Sequence, residues 1–408
     1  MDLDFKLDNT QYLTHGIHPY PAKMIPQVAN KLIQEYGRKA NVLFDPFCGS
    51  GTVLLEAKLN NIHSIGFELN PLARLIASVK TTNIEQRTLE LFLKDFHNYI
   101  FEIIYYPQNH KPVVFRCPNI DYWFSKKVQR NLTLIKTYIN TIDNQQVKNF
   151  FLVAFGKTVR LCSWTRNDEF KLYKMPIEKI RHFKPDVFSI MEQTLAQNYL
   201  GITQFANVVN NEIISNIYNA NSSKYIPKRL IKDESVDLVI TSPPYGDSAT
   251  TVSYGQFSAL PNEWIFEMTT SRNLDKILMG GLKAKRINSF ASDILNAQIS
   301  EMAKIDIKRT LEITGFYRDY FKSIRNISKT VKKQGFVCYV VSNRTVCGIK
   351  LKTDQITIDF FKSQGLKHIQ TFERKISNKR LPQKNRICGV GGCVSDLMNK
   401  EFVIVMQR

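Results

Sequence analysis

The sequence predicts an α/β fold in which a mostly parallel sheet lies between helices and carries a mostly helical insertion. Short apolar strands, each followed by a helix, open the chain. A long glycine-poor region with helical spacing of apolar residues follows, and apolar strands resume in the second half. Strand, helix and strand joined by short links form the right-handed parallel unit from which three-layer sheets are built.

The first such unit begins in VLFDPFCGSGTVLLEA. This run predicts a strand at Val42–Phe44, a glycine turn, and a helix that Thr52 can cap. A second strand is expected at residues 62–68. The helix after it should begin at Asn70-Pro71, because proline is favoured in a first helical turn.

The insertion is expected at about residues 85–211, where segments such as KKVQRNLTLIKTYINTI have helical periodicity. It divides the α/β part into residues 1–84 and 212–408. In the second part, buried strands are expected at Val236–Ile240, from Phe336, and in the C-terminal EFVIVMQR. These last strands fit a sheet that ends in a hairpin.

The charge balance favours a polyanionic partner. The chain has 56 Lys and Arg residues against 36 Asp and Glu residues, a formal net charge of +20. Each phosphate that a cation neutralises releases condensed counterions, so an excess of this size favours binding to nucleic acid.

Composition also indicates the compartment. The opening MDLDFKLDNT lacks the cationic region of a signal peptide, and apolar runs such as FVCYVV are shorter than a bilayer span. Seven cysteines without framework spacing fit reduced thiols, so we expect a cytoplasmic protein that is not associated with a membrane. Cys388 and Cys393 lack the second pair of ligands that a zinc site needs, and no metal is expected.

The glycine turn after the first strand suits the close approach of a ligand, because Gly49 and Gly51 have no Cβ. About twenty residues later, Glu68 ends the second strand, where an acid can accept hydrogen bonds from ribose hydroxyls. This arrangement serves any adenosine-containing cofactor. A pyrophosphate site would require a third glycine, and Leu54 occupies that position.

The second chemical signal is TSPPYGDS, directly after the strand VDLVI. An amino group on a base is a poor nucleophile because its lone pair is delocalised into the ring. Pro243 and Pro244 fix the backbone and remove two donors, so the carbonyls around Ser242 and Pro243 can accept both amino hydrogens. Tyr245 can stack on a base turned out of the helix. The run therefore predicts methylation of an exocyclic amino group by positioning and electrostatics.

Together these runs resemble the DNA amino-methyltransferase family. FDPFCGSGT resembles its motif I, which contacts the methionine part of S-adenosylmethionine, and matches at Phe47, Gly49 and Gly51 with Asp45 just before. GFELNP resembles motif II, which assigns Glu68 to the ribose. The resemblance implies a Rossmann-like S-adenosylmethionine-dependent methyltransferase fold with a seven-stranded, mostly parallel sheet.

Two further segments resemble motifs of the cofactor site. HPYPAKMIP resembles motif X, beside the methionine carboxylate, and its candidate cofactor-binding residues are His18, Pro21, Lys23 and Met24. Where motif III would carry an acid, IYNANSS has Asn219, which could hydrogen-bond the adenine ring.

SPPY resembles motif IV, which assigns the catalytic site to Ser242, Pro243, Pro244 and Tyr245. The first position is often Asp in adenine-N6 enzymes and more commonly Ser in cytosine-N4 enzymes. Ser242 therefore favours cytosine N4, and TTVSYGQFSALPNEWI and RKISNKRLP also resemble segments of cytosine-N4 enzymes. The implied partner is double-stranded DNA, with a cognate restriction endonuclease as a further expected partner.

Three alternatives remain open: adenine-N6 methylation of DNA, guanine-N2 methylation of RNA, and a non-catalytic DNA-binding protein with a vestigial cofactor fold. Carbon-5 methylation is excluded because it requires a cysteine nucleophile, usually in a Pro-Cys pair. The only neighbouring pair, Cys117-Pro118, has the reverse order.

The insertion is the first candidate for DNA recognition, since YWFSKKVQR and WTRNDEFKLYK interleave cations with aromatic residues. The second candidate is Arg272–Lys308, where the glycine pair of KILMGGLKAKR suggests a mobile basic loop near the active site.

Overall fold

A computed structural model describes most of the chain. The described residues are 3–5, 8–112, 115, 117, 119–247, 251–269, 271–375, 384–386, 394–396 and 400–408. The α-helices are α1 (Pro26–Tyr36), α2 (Thr52–Leu59), α3 (Pro71–Thr81), α4 (Gln86–Tyr105), α5 (Ile120–Trp123), α6 (Lys126–Thr141), α7 (Gln145–Cys162), α8 (Ile177–His182), α9 (Val187–Ala206), α10 (Tyr254–Phe266), α11 (Leu274–Ile277), α12 (Asp293–Ala303), α13 (Ile307–Thr330) and α14 (Thr353–Lys362). The strands are β1 (Val42–Asp45), β2 (His63–Phe67), β3 (Ser215–Tyr218), β4 (Val236–Thr241), β5 (Val331–Val341), β6 (Arg344–Val346), β7 (Ile349–Leu351), β8 (Lys367–Lys375), β9 (Lys384–Arg386), β10 (Val394–Asp396) and β11 (Lys400–Gln407).

Seven strands form one sheet in the order β3-β2-β1-β4-β5-β11-β8. Pairing is parallel from β3 through β5, and β11 is antiparallel to both β5 and β8. The seven-stranded, mostly parallel sheet predicted from the sequence is confirmed. The predicted antiparallel ending is also present, because β8 and β11 are adjacent antiparallel strands.

Both faces of the sheet are covered, which explains why its central strands are almost continuously apolar. Along β1, Leu43 joins a cluster with α1 and α2, while Phe44 joins a cluster with α13 and α14 on the other face. The same alternation places Leu238 and Val239 of β4 on opposite faces. The period of two in side-chain direction thus builds the three-layer arrangement.

The region between β2 and β3 is helical, as predicted, with α3 followed by α4 to α9. Its core is continuous with helices of the α/β part: Leu72 of α3 and Trp264 of α10 belong to the same apolar cluster as Phe155 of α7. Trp264 is fully buried, and its ring lies 6.1 Å from that of Phe155. The insertion is therefore packed onto the catalytic part rather than attached by a linker.

Among the described helices, including the 24-residue α13, none is long and apolar enough to cross a membrane. Two sequence predictions fall outside the described residues. Cys388 and Cys393 are in that group, as is RKISNKRLP after Lys375.

Two local predictions require correction. Helix α2 begins at Thr52, and its N-cap is Gly51 in the left-handed region, so Thr52 is not the cap. The segment 272–308 is not one loop, because α11 and α12 lie within it. Only about residues 278–292 lack a helix, and Leu295 and Met302 of α12 are buried in the core, which explains why that part is ordered.

Candidate active site

A cleft of about 910 Å³, partly open to solvent, lies where β1, β2 and β4 end. Parallel sheets of this type bind ligands at the carboxyl ends of their strands. The predicted site residues that line the cleft are Pro21, Lys23, Met24, Asp45, Phe47, Gly49, Glu68, Ser242 and Pro244. The cofactor and catalytic motifs, far apart in sequence, thus meet at one cleft.

The glycine turn forms the floor between β1 and α2. The Gly51 amide donates to the Cys48 carbonyl at 2.8 Å, and the Cys48 amide donates to the Phe67 carbonyl of β2 at 3.1 Å. Gly49 has φ +50°, and a Cβ there would meet only Tyr20 Cε1 at 4.0 Å. At Gly51, with φ +80°, a Cβ would lie 2.8 Å from the Ala77 Cβ. Gly49 therefore leaves space for a ligand, whereas Gly51 allows α2 to pack against α3.

Asp45 joins the two motifs. Its Oδ1 accepts hydrogen bonds from Thr241 Oγ1 at 2.6 Å and from the Phe47 amide at 3.1 Å. Burial raises the pKa of Asp45 to about 7, although these hydrogen bonds oppose the rise. Because Thr241 immediately precedes Ser242, Asp45 fixes the end of β4 relative to the glycine turn.

Glu68 lines the same cleft at the end of β2. The Asn70 amide donates to its Oε1 at 2.7 Å, which orients the carboxylate. Burial raises the pKa of Glu68, while this amide and the Arg74 guanidinium favour the ionised form. The cleft therefore holds two carboxyl groups, Asp45 and Glu68, on neighbouring strands.

The motif X segment contributes an aromatic wall that sequence reasoning missed. Tyr20 stacks on Tyr254 of α10, with ring centroids 6.0 Å apart, and its hydroxyl accepts from Asn70 Nδ2 at 2.9 Å. Lys23 Nζ donates to the His15 carbonyl at 3.2 Å, and burial lowers the pKa of Lys23 to about 8. No local signal in the sequence pairs Tyr20 with Tyr254, because the contact depends on how α10 packs.

Three predicted cofactor residues do not line the cleft. Gly51 packs beneath it, as described above. His18 is buried behind Tyr20, edge-on to Phe257 at 6.3 Å, and burial lowers the pKa of its imidazole well below the usual value. Asn219 is exposed, because the chain turns after β3 with the Ala220 amide donating to the Tyr218 carbonyl. The residues that line the cleft here are Ala220, Asn221 and Ser222.

The SPPY run is divided between the cleft and the interior. Ser242 and Pro244 line the cleft, whereas Pro243 and Tyr245 do not. The Tyr245 hydroxyl donates to Glu401 Oε1 at 2.9 Å, and Ser242 Oγ donates to the Tyr245 hydroxyl at 3.2 Å. Burial, followed by the Glu401 charge, raises the pKa of Tyr245 well above its usual value. Stacking of Tyr245 on a base stays a prediction.

A buried charge cluster holds the loop after SPPY. Asp247 Oδ2 accepts from Arg309 Nη2 at 2.8 Å and from Arg344 Nη1 at 3.3 Å. A Cβ at Gly246 would lie 1.5 Å from Arg344 Nη1, so this arginine requires glycine there. Such paired, buried charges fix a backbone precisely where it leaves the strand.

Comparison with known proteins identifies the family. A family model described as DNA methylase matches residues 5–78. Type II methyltransferase M.MvaI from Kocuria varians is 38% identical over 429 aligned positions, covering 100% of this chain and 93% of that protein. The chain belongs to the DNA amino-methyltransferase family. Its sheet order and cleft are accordingly those of a Rossmann-like methyltransferase fold.

Two other similarities are weaker. Type II methyltransferase M.BsoBI from Geobacillus stearothermophilus is 23% identical over 265 residues, covering 58% of this chain and 50% of that protein. The solved rRNA methyltransferase aviRa from Streptomyces viridochromogenes is 9% identical, with a TM-score of 0.33, covering 95% of this chain and 87% of that chain. At that score the structural likeness carries no argument for this amino-methyltransferase.

Proposed function

We propose that the protein transfers a methyl group from S-adenosylmethionine to the exocyclic N4 of a flipped-out cytosine in double-stranded DNA. One observation carries the proposal: Ser242 and Pro244 line the same cleft as Gly49 and Glu68. A group suited to an amino nucleophile and a group suited to an adenosine cofactor are therefore adjacent.

The residues of the cleft fit S-adenosylmethionine. Glu68 can accept hydrogen bonds from ribose hydroxyls. Asp45 and Glu68 also give the cleft an anionic character that favours a sulfonium cation over a neutral thioether. Lys23, on the motif X side, can bind a carboxylate. When bound, the cofactor would supply an electrophilic methyl group.

The catalytic side fits an amino group. Pro243 and Pro244 have no amide hydrogens, so this stretch of backbone offers acceptors rather than donors. Ser242 faces the cleft and adds a hydroxyl. Acceptors around both amino hydrogens favour a pyramidal nitrogen whose lone pair is available for attack, and rate enhancement comes from positioning.

Cytosine is preferred over adenine because Ser242 stands at the first position of SPPY, as it more commonly does in cytosine-N4 enzymes. Adenine N6 is the second candidate, since the surrounding acceptors would suit either amino group. Two similar proteins are named type II methyltransferases. We therefore also propose a cytoplasmic modification enzyme that protects DNA against an endonuclease of the same sequence specificity.

Labelled S-adenosylmethionine, plasmid DNA and the purified protein, followed by nucleoside mass spectrometry, test this function. We expect N4-methylcytosine as the labelled nucleoside, and none with a Tyr245→Ala control. N6-methyladenine would overturn the choice of base, and label confined to transfer RNA would overturn the DNA substrate. Base-resolution sequencing of the product then gives the modified sequence and the endonuclease whose cleavage it blocks.

We further propose that residues 85–211 bind the DNA, and that the hairpin between α7 and α8 is the part nearest the cleft. The hairpin is closed by hydrogen bonds between Arg166 and Tyr173 and between Met175 and Trp164, at 2.9 and 2.8 Å. Arg160 anchors it, donating to the Glu169 carbonyl at 2.6 Å and to the Phe257 carbonyl of α10 at 3.0 Å. Since α10 begins with Tyr254 of the cleft wall, the hairpin is fixed relative to the base site.

Exposed cations on and after this hairpin, including Arg166 and Arg181, are suited to phosphate contacts. The variant Arg166→Ala/Arg181→Ala should weaken binding to a short duplex, and lower the salt dependence of log K by about one per lost phosphate contact. The matched control is Arg38→Ala/Lys39→Ala, two exposed cations just before β1, at the opposite edge of the sheet. Equal losses in both variants would mean that net charge alone, rather than this surface, determines binding.

A further inference from the structure

The last strand of the sheet brings an acidic residue to the catalytic motif. Because β11 is antiparallel to β5, it begins at the edge where β4 ends. Glu401, the second residue of β11, is 8% exposed, and its Oε1 accepts from the Tyr245 hydroxyl at 2.9 Å. Ser242 Oγ in turn donates to that hydroxyl at 3.2 Å. A chain of two hydrogen bonds thus connects the cleft to a buried carboxylate.

The carboxylate itself is held from the other side. Arg374 of β8 is the cross-strand partner of Glu401, is also buried, and forms an ion pair with Oε2. Arg374 Nε donates to the Leu3 carbonyl at 3.1 Å, which fixes the guanidinium in turn. With an arginine on one oxygen and a hydroxyl on the other, Glu401 is held as an ionised group.

An ionised carboxylate sets the direction of the hydrogen bonds, because it can accept but not donate. The Tyr245 hydrogen must then point to Glu401, and the Tyr245 oxygen accepts the hydrogen of Ser242. Ser242 Oγ is left with lone pairs to offer in the cleft. Such an oxygen can accept from an exocyclic N–H, whereas it meets the carbonyl of a base with two acceptors facing each other.

The geometry points to Glu401 as a positioning residue: through Tyr245 it orients Ser242 as an acceptor, so that the site favours an amino group over a carbonyl at the target position. This inference rests on the proposed amino-group methylation and names how the same site selects its substrate. It predicts discrimination between cytosine and uracil, which differ at position 4 by an amino group and a carbonyl oxygen.

A double-mutant cycle on kcat tests the link. Glu401→Gln can either donate or accept, so it should lower kcat about 10- to 100-fold, the range for loss of a hydrogen bond to a charged group. Tyr245→Phe should give a similar loss, and the double variant no more than the larger single loss. Glu373→Gln, which removes a half-exposed carboxylate paired with Lys400 across the same two strands, is the matched control and should keep kcat.

Duplex binding gives a readout independent of turnover. Using the sequence that the wild-type enzyme modifies, we expect the preference for cytosine over uracil at the target position to shrink about tenfold in Glu401→Gln and Tyr245→Phe, the equivalent of one lost hydrogen bond. Losses in kcat that multiply in the double variant, or an unchanged cytosine preference in Tyr245→Phe, would overturn the inference. Tyr245→Phe leaves the Glu401–Arg374 pair in place, so it remains decisive if Glu401→Gln does not fold. Failure of wild-type methylation would instead count against the proposed function.

Discussion

Replacing Tyr245 by alanine is expected to lower kcat about 1,000-fold while changing the dissociation constant for S-adenosylmethionine by no more than about twofold. The variant loses an aromatic face for the base and the hydroxyl that connects Ser242 to Glu401. Each of these losses is worth about 1–3 kcal/mol, and together they account for a fall of this size. Cofactor binding should survive because Tyr245 does not line the cleft.

Single-turnover kinetics and equilibrium cofactor binding separate the two effects. Tyr36→Ala is the control for loss of a partly buried tyrosine ring: Tyr36 packs on Phe336, with ring centroids 5.2 Å apart, close to the opposite edge of the sheet. It should lower thermal stability without lowering kcat in the folded fraction. A Tyr245→Ala variant that kept wild-type kcat, or that lost cofactor binding to the same degree as kcat, would contradict the assignment.

Local patterns predicted much of the fold. The strand, glycine turn and helix from Val42 onwards and the start of α3 at Pro71 appear within a few residues of the expected positions. These elements depend on short-range signals, namely an apolar run, residues that permit left-handed φ, and proline in a first turn. The place of β11 between β5 and β8 depends instead on pairing across the whole chain, and the sequence offered only a general expectation of an antiparallel ending.

The same distinction applies to the site. Glu68 and Ser242 could be predicted because each immediately follows a strand, and strand ends meet at one edge of a parallel sheet. Asn219 was wrong because the turn after β3 brings Asn221, two residues later, to the cleft. Glu401 could not have been found, since its contact with Tyr245 spans 156 residues and requires both the strand order and the register of β11. A charged residue at the start of an apolar strand has no local feature that marks it as part of a site.

Replacing Glu68 by alanine is expected to reverse the pattern of Tyr245→Ala. The dissociation constant for S-adenosylmethionine should rise about 10- to 100-fold, the range for losing hydrogen bonds to a charged acceptor. At saturating cofactor, kcat should fall much less, because Ser242, Tyr245 and Glu401 remain in place. Isothermal titration calorimetry and kcat at several cofactor concentrations would measure the two quantities.

The charge of Glu68 can be separated from its shape with Glu68→Gln. Glutamine retains an oxygen for the Asn70 amide, which donates to Glu68 Oε1 at 2.7 Å, so the turn before α3 should keep its conformation. It loses the negative charge and replaces one acceptor oxygen by a donor, so cofactor affinity should fall to a value between those of wild type and Glu68→Ala. If the glutamine variant bound as weakly as the alanine variant, the charge itself would be what holds the cofactor. If both bound as tightly as wild type, Glu68 would serve only to cap the turn, and the ribose would have to be held by another residue of the cleft.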